Sequence, residues 1–242
     1  MAVLVQAREL KDSKKNKLVD ELNGSAAFAT LVAIVRQHHA DVEVKETDIL
    51  ELTFGEGKKM GEGVQQQAIF VKLNDEVIIQ GLKHDQEEIR VKAHFSATNE
   101  KGEKTILKVV VKNGQVEVEN EIPFDASYFL FVEELKHPTG ADEVAEITPE
   151  AWYDGCLVFY NSGNGKYYYY RYCGKGCTGN GFTQTPLNPL DGCCQAHDRC
   201  YKNFGVGDDG CDWQLYTCAN NTSDPGWWMV AEWAYNMATG KL

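Results

Sequence analysis

The sequence predicts an α+β protein built from two chemically different parts. Three observations carry that prediction. The hydrophobic period changes after the first forty residues from helical spacing to strict alternation. The alternating segments are joined by turn residues such as Asn113-Gly114. All eight cysteines, all five tryptophans and ten of the eleven tyrosines fall in the last 92 of 242 residues. The expected architecture is an N-terminal helix plus an antiparallel β-meander over residues 1–148. A small disulfide-rich, mainly helical domain with two antiparallel cross-linked helices follows over residues 149–242.

Leu18, Leu22, Phe28, Leu31, Val32, Ile34 and Val35 place an apolar face on a helix from Lys17 to His39, interrupted at Asn23-Gly24. Strands are expected at Ile49–Phe54, Ala68–Leu73, Glu76–Gln80, Ile89–Ala97, Thr105–Lys112 and Gln115–Glu119, where apolar and polar residues mostly alternate. Asn74-Asp75, Asn99 to Gly102 and Asn113-Gly114 supply the turns. The stretch HPTGADEVAEITP, between Lys136 and Pro149, reads as a domain boundary. His38, His39, His84 and His94 are scattered through the front domain without a cysteine or carboxylate cluster, so no catalytic constellation is expected there.

Charge excludes one partner class. The net charge is −12 and the isoelectric point about 5.0, so no basic field exists to displace counterions from nucleic-acid phosphates. Residues up to Glu150 carry 18 basic and 28 acidic groups, a balance of −10, against −2 for the remainder. The longest apolar run, Ala26 to Val35, is half of the ~20 residues that span a bilayer. The opening MAVLVQAREL lacks the basic and apolar regions of a secretory leader.

The chemistry concentrates in DGCCQAHDRCY, Asp191 to Tyr201. On a helix, Cys193, His197 and Cys200 stand at i, i+4 and i+7 on one face, with Cys194 and Asp198 on the next. Downstream, Cys211 and Cys218 repeat the seven-residue spacing. Two antiparallel helices with matched pairs can be stapled twice, which would set Asp212 facing His197. Cys194 shares its face with Asp198 and is free to reach the glycine-rich loop YCGKGCTGNG. There, carbonyl oxygens beside a carboxylate would form a Ca²⁺ site by ligand type. A zinc reading of Cys193, Cys194, His197 and Cys200 fails because adjacent helical cysteines diverge by about 100°. An even number of cysteines also favours disulfides.

Tyr172-Cys173-Gly174-Lys175-Gly176, then Cys193-Cys194-Gln195-Ala196-His197-Asp198-Arg199-Cys200-Tyr201, then Cys211-Asp212 with Cys218, together resemble the secreted phospholipase A2 family over roughly Gly155 to Cys218. The resemblance implies a calcium-dependent hydrolase of the sn-2 ester of glycerophospholipids, acting on a phospholipid membrane or micelle surface. It assigns His197 as general base, Asp212 as its orienting carboxylate and Tyr201 as a hydrogen-bonding support. The backbone N–H of Gly174 becomes a donor to the oxyanion. Ca²⁺ would be held by Asp198 and the carbonyls of Tyr172, Gly174 and Gly176. The implied bridges are Cys173–Cys194, Cys193–Cys218 and Cys200–Cys211, which leaves Cys156–Cys177 by exclusion. Such a framework implies an oxidising compartment, hence a secreted, extracellular protein. The short link from Tyr201 to Cys211 has no room for a β-wing, which resembles the compact bacterial, fungal and plant members. The competing reading is a non-catalytic toxin or binding module on the same fold.

Two features lie beyond the resemblance. Tyr167 to Tyr170 and the tail SDPGWWMVAEWAYNMATG are rich in rings that suit either a membrane interface or a small core. The tail reads as a helix with Asp224 as N-cap and Pro225 in its first turn. Trp227, Val230, Ala231 and Ala234 form its buried stripe, with Trp228 and Trp233 partly elsewhere. Residues 1–148 are expected to be a propeptide or inhibitory module that packs on and masks the catalytic domain, a targeting module, or a structural partner.

Overall fold

The computed structural model describes residues 4–55, 64–85, 87–136, 156–161, 164–174, 176–177 and 179–242. The boundary expected between Lys136 and Pro149 lies outside the described residues apart from Lys136 itself. The fold is α+β: a seven-stranded sheet with helices, then a disulfide-rich helical region.

The chain opens with β1 (Leu4–Glu9), a strand the sequence reading did not anticipate. Two helices follow where one was expected: α1 (Asp12–Gly24) and α2 (Ala26–His38), bent by 65°. The break has a local cause. Ser25 takes an extended conformation and its Oγ accepts the N–H of Phe28 at 3.3 Å, capping the second helix. No single helix among the described residues is long and apolar enough to cross a membrane.

The remaining strands are β2 (Glu46–Gly55), β3 (Val64–Asn74), β4 (Val77–Lys83), β5 (Arg90–Thr98), β6 (Lys104–Lys112) and β7 (Gln115–Pro123). They line up in sequence order, and β3 through β7 pair antiparallel with their neighbours, as a meander requires. The β6–β7 hairpin turns on Asn113 and Gly114 with φ of 52° and 76°, the left-handed pair that two-residue hairpins favour. A 3₁₀ turn (Ala126–Leu130) and the short helix α3 (Phe131–Lys136) come next.

The chain divides into two compact units. One comprises Ala7–Leu52 and Gln65–Val132. Its core sets Leu18 and Leu22 of α1 and Leu31 and Val35 of α2 against Ile69, Val71, Val77, Ile79, Ala93 and Phe95 of the sheet. Close approach requires Gly81 on β4, where a Cβ would lie 2.7 Å from Ile89 and 2.8 Å from Ile69. Several polar groups are buried in pairs. Lys92 Nζ donates to Glu119 at 2.8 Å, and His94 Nδ1 meets the hydroxyl of Tyr128 at 2.7 Å. His39 Nε2 lies 2.8 Å from the carbonyl of Ser96. Burial, aided by the charges of Lys108 and Lys92, holds His94 well below the usual histidine pKa.

The other unit comprises Met1–Gln6, Thr53–Val64 and Glu133–Leu242. It carries the hairpin β8 (Val158–Asn161) and β9 (Lys166–Tyr169), the short turn α4 (Gly179–Phe182), and three helices. These are α5 (Pro189–Phe204), α6 (Asp209–Asn220) and α7 (Trp227–Ala238). Four bridges cross-link it: Cys156–Cys177, Cys173–Cys194, Cys193–Cys218 and Cys200–Cys211. No cysteine is free.

Candidate active site

The site is built on α5. Asn188 caps that helix by accepting the N–H of Asp191 at 2.8 Å, and Pro189 occupies the first turn where its missing donor costs nothing. Leu190, Asp191, Cys193, Cys194, His197 and Cys200 are buried along its inner face. Gly205 and Gly207, with φ of 106° and 85°, reverse the chain. Asp208 then caps α6 through the N–H of Cys211 at 3.0 Å. The bridges Cys193–Cys218 and Cys200–Cys211, with Cα separations of 5.6 and 5.7 Å, hold α5 against α6 on either side of His197.

Between those bridges His197 meets Asp212. The imidazole Nε2 lies 2.9 Å from Asp212 Oδ1, and the Tyr201 hydroxyl donates to the same oxygen at 2.6 Å. An ionised carboxylate only accepts, so Nε2 carries the proton and Nδ1 keeps its lone pair. That Nδ1 is buried and has no hydrogen-bond partner. The Tyr201 ring lies 4.1 Å from the imidazole, centroid to centroid. The arrangement can take a proton at Nδ1 while a carboxylate steadies the resulting cation.

The loop from Tyr172 to Cys177 lies beside α5. Cys173–Cys194 brings it to the helix, and Cys156–Cys177 holds its far end. Gly174 and Gly176 have φ of 129° and 77°, backbone that a side chain would strain. Tyr172 is buried, stacks on Phe182 at 6.0 Å, and donates its hydroxyl to the carbonyl of Gln184 at 2.5 Å.

One residue escaped the sequence reading. Asp191, fully buried in the first turn of α5, accepts the backbone N–H groups of Arg171 and Tyr172 on Oδ1 and of Leu187 on Oδ2, at 2.8 to 2.9 Å. It ties the loop to the helix start, where the dipole favours a negative charge. The only signal in sequence was a carboxylate in a first turn.

Asp198 keeps a carboxylate oxygen open. Its Oδ2 is buried with no protein partner. Burial, with the nearby charge of Asp191 adding to it, pushes its pKa up to about 7. A hard carboxylate oxygen left open one helical turn from Cys194, which tethers the glycine loop, is a donor type that suits Ca²⁺. Cys200 and Cys211 also come close to Asp208. Their sulfurs are bonded to each other, so they offer no thiolate.

The tail differs from expectation at its start. Asp224 does not cap α7; its Oδ2 accepts the N–H of Leu190 instead, at 2.9 Å, and the helix begins after Gly226 in left-handed conformation. Trp227, Trp228 and Trp233 are all buried, so these rings fill the core. Of the tyrosine run, Tyr170 is buried while Tyr169 is half-exposed.

Local sequence similarity, together with the disulfide-rich helical region, supports a phospholipase A2-like region in this chain. That similarity covers a limited span. The chain is 46% identical over 46 residues to basic phospholipase A2 nigexine of Naja pallida, covering 19% of this chain and 32% of that protein. It is 44% identical over 55 residues to acidic phospholipase A2 4 of Naja sagittifera, covering 21% and 39%. With basic phospholipase A2 CM-III of Naja mossambica it shares 46% over 46 residues, covering 19% and 32%. The chain thus spans about a third of the length of the curated relatives it matches. No family model matches the chain. No solved structure matches it either.

Proposed function

We propose that the chain is a calcium-dependent phospholipase A2 that hydrolyses the sn-2 ester of glycerophospholipids to lysophospholipid and fatty acid. The observation that carries this reading is the His197–Asp212 pair: a buried imidazole held through Nε2, with Nδ1 left open as a base. In the proposed reaction Nδ1 takes a proton from water as the water oxygen attacks the ester carbonyl. Asp212, itself held by Tyr201, stabilises the imidazolium, which then returns the proton to the leaving glycerol oxygen. Asp198 and the carbonyls of Tyr172, Gly174 and Gly176 would hold Ca²⁺. When bound, that ion would supply Lewis-acid stabilisation of the ester oxygen and charge for the substrate phosphate. The Gly174 N–H is assigned to the same oxygen.

The proposed partner is a phospholipid membrane or micelle surface, and nucleic acid is not among the proposed partners. Four disulfides support secretion to the extracellular space. Residues 1–148 are proposed as a propeptide that masks catalysis by residues 149–242, so cleavage between Lys136 and Pro149 is expected to raise turnover. The deciding measurement is fatty-acid release from phospholipid vesicles with Ca²⁺ or EGTA, before and after limited proteolysis. Release is expected only with Ca²⁺, and His197→Gln should lower it by about 10²- to 10⁴-fold. Vesicle binding without release would favour a non-catalytic binding module. Equal release by His197→Gln would remove His197 from the mechanism.

A further inference from the structure

The imidazole of His197 has a third neighbour, supplied by a helix beyond the stretch that resembles the phospholipases. Trp233 of α7 is fully buried. Its indole stands perpendicular to the imidazole, with centroids 5.8 Å apart and planes at 89°. Perpendicular ring pairs at this separation attract and depend on orientation.

The rest of the fold fixes that contact. Asp224 accepts the N–H of Leu190, so α5 and α7 set out from neighbouring points. From Leu190 to His197 is seven residues, and from Gly226, the N-cap of α7, to Trp233 is also seven. At about 1.5 Å per residue, both rings lie roughly 10 Å along their helices. The hydroxyl of Tyr170 donates to the Pro225 carbonyl at 2.5 Å and pins the start of α7 from the β9 side. Past Trp233, Tyr235 packs on Trp213 and Tyr216 of α6, each at 5.8 Å. Trp233 is held between anchors to the His197 helix and the Asp212 helix.

A hydrogen bond at Nε2 fixes one corner of the imidazole and leaves its plane free to rock. Tyr201 borders the ring on one approach, at 4.1 Å. We propose that Trp233 is a positioning residue, its perpendicular indole setting the imidazole plane so that Nδ1 faces the reacting water. The proposal rests on the hydrolytic reading above, in which Nδ1 is the base. Trp233 Nε1 is itself buried without a partner. The flat ring is therefore what this position uses, and the N–H contributes no protein hydrogen bond.

The test uses the full chain with Ca²⁺ and three variants, Trp233→Leu, Trp233→Met and Trp233→Phe. Two readouts are taken: fatty-acid release from phospholipid vesicles, and the ¹⁵N resonances of His197 in ¹⁵N-histidine-labelled protein. Wild type should show a single tautomer with the proton on Nε2. Trp233→Leu should lose about tenfold in kcat with KM nearly unchanged, since small misplacements of a reacting group are costly, and its imidazole lines should broaden as the ring plane rocks, with the proton still on Nε2. Trp233→Phe keeps a flat ring and removes an unpaired donor, so it should retain kcat within about threefold, the single tautomer, and an equal or higher Tm. If leucine prevents folding, methionine, flexible and of large volume, is read by the same criteria. Failure of both to fold would assign Trp233 a structural role alone and overturn the proposal. Native kcat and unbroadened imidazole lines in a folded leucine or methionine variant would overturn it too. A wild type that releases no fatty acid, yet whose sharp imidazole lines broaden in Trp233→Leu, would retire the reaction and leave the positioning role standing.

Discussion

The two compact units solve the problem of burying polar groups in different ways. In the unit of Ala7–Leu52 and Gln65–Val132, ionisable side chains are buried against specific partners: Lys92 on Glu119, His94 on Tyr128. In the unit that contains α5, α6 and α7, three neighbouring ionisable side chains each keep one atom open, His197 Nδ1, Asp198 Oδ2 and Asp212 Oδ2. Open valences in a dry setting are costly for stability, and they are also what a base and a cation ligand require. The sheet unit also buries partnerless atoms, on the neutral Gln66 and Thr105, so the difference teaches where to look for chemistry: at clusters of titratable groups with open atoms, on elements too strongly fixed to relax.

That fixing comes from sulfur in one unit and from packed side chains in the other, and reduction should separate them most sharply. Each bridge contributes about 2–4 kcal/mol, so four together rival the ~5–15 kcal/mol that holds a typical domain. With dithiothreitol added to the full chain, amide protection across α5, α6 and α7 should collapse while β3 to β7 keep theirs. Hydrogen exchange read by mass spectrometry decides this. Loss of protection in the sheet at the same reductant concentration would mean that the cysteine-free core depends on the bridges.

What could be read in the sequence follows the same division between local and distant causes. Alternation made β3 to β7 legible, since each strand carries its own period, and Asn113-Gly114 marked their last turn. Cys193, His197 and Cys200 were legible because a helix projects i, i+4 and i+7 to one side. The break at Ser25 was only half visible, because the capping hydroxyl looks like any loop serine. The cap of α7 was misplaced because Asp224 spends its carboxylate on Leu190, 34 residues earlier. Asp191 was missed because two of the donors it serves, Arg171 and Tyr172, lie about twenty residues back and leave no periodic trace.

Asp191 gives the second way to sharpen the comparison. Asp191→Ala leaves three backbone N–H groups without their acceptor, at about 1–3 kcal/mol each where water cannot replace it. A loss of at least about 3 kcal/mol is expected by urea denaturation, confined to the unit that carries the loop and α5. Ca²⁺ affinity at the proposed site, followed by calorimetry, should fall as well, since the carbonyls proposed to hold the ion belong to the same loop. Unchanged stability would show that Cys173–Cys194 alone positions the loop.

The smallest effect concerns pH, and there the two units should move in opposite directions. Glu134 of α3 is buried and accepts the N–H of Gly226 at 3.1 Å. Burial raises its pKa from 4.5 to about 7, against the opposing pull of that hydrogen bond. The neighbouring ionisable groups are Tyr170, a phenol that burial keeps protonated, and Asp224. A carboxyl raised in the folded state stabilises fully below its unfolded value of 4.5 and loses that contribution as pH climbs through about 7. At most about 3 kcal/mol is at stake between pH 5 and pH 8. His94 in the sheet has the reverse sign: depressed in the folded state, it favours folding above 6.5 and ceases to as pH falls. Native-state exchange at both pH values, corrected for intrinsic rates, should show α7 better protected at pH 5 and β5 better protected at pH 8. In an Asp198→Asn background, which removes the other carboxyl raised to about 7, Glu134→Gln keeps an oxygen for Gly226 and removes the charge, so it should flatten the trend in α7 and leave β5 untouched. A trend in α7 that survives the substitution would transfer the pH sensitivity to another group.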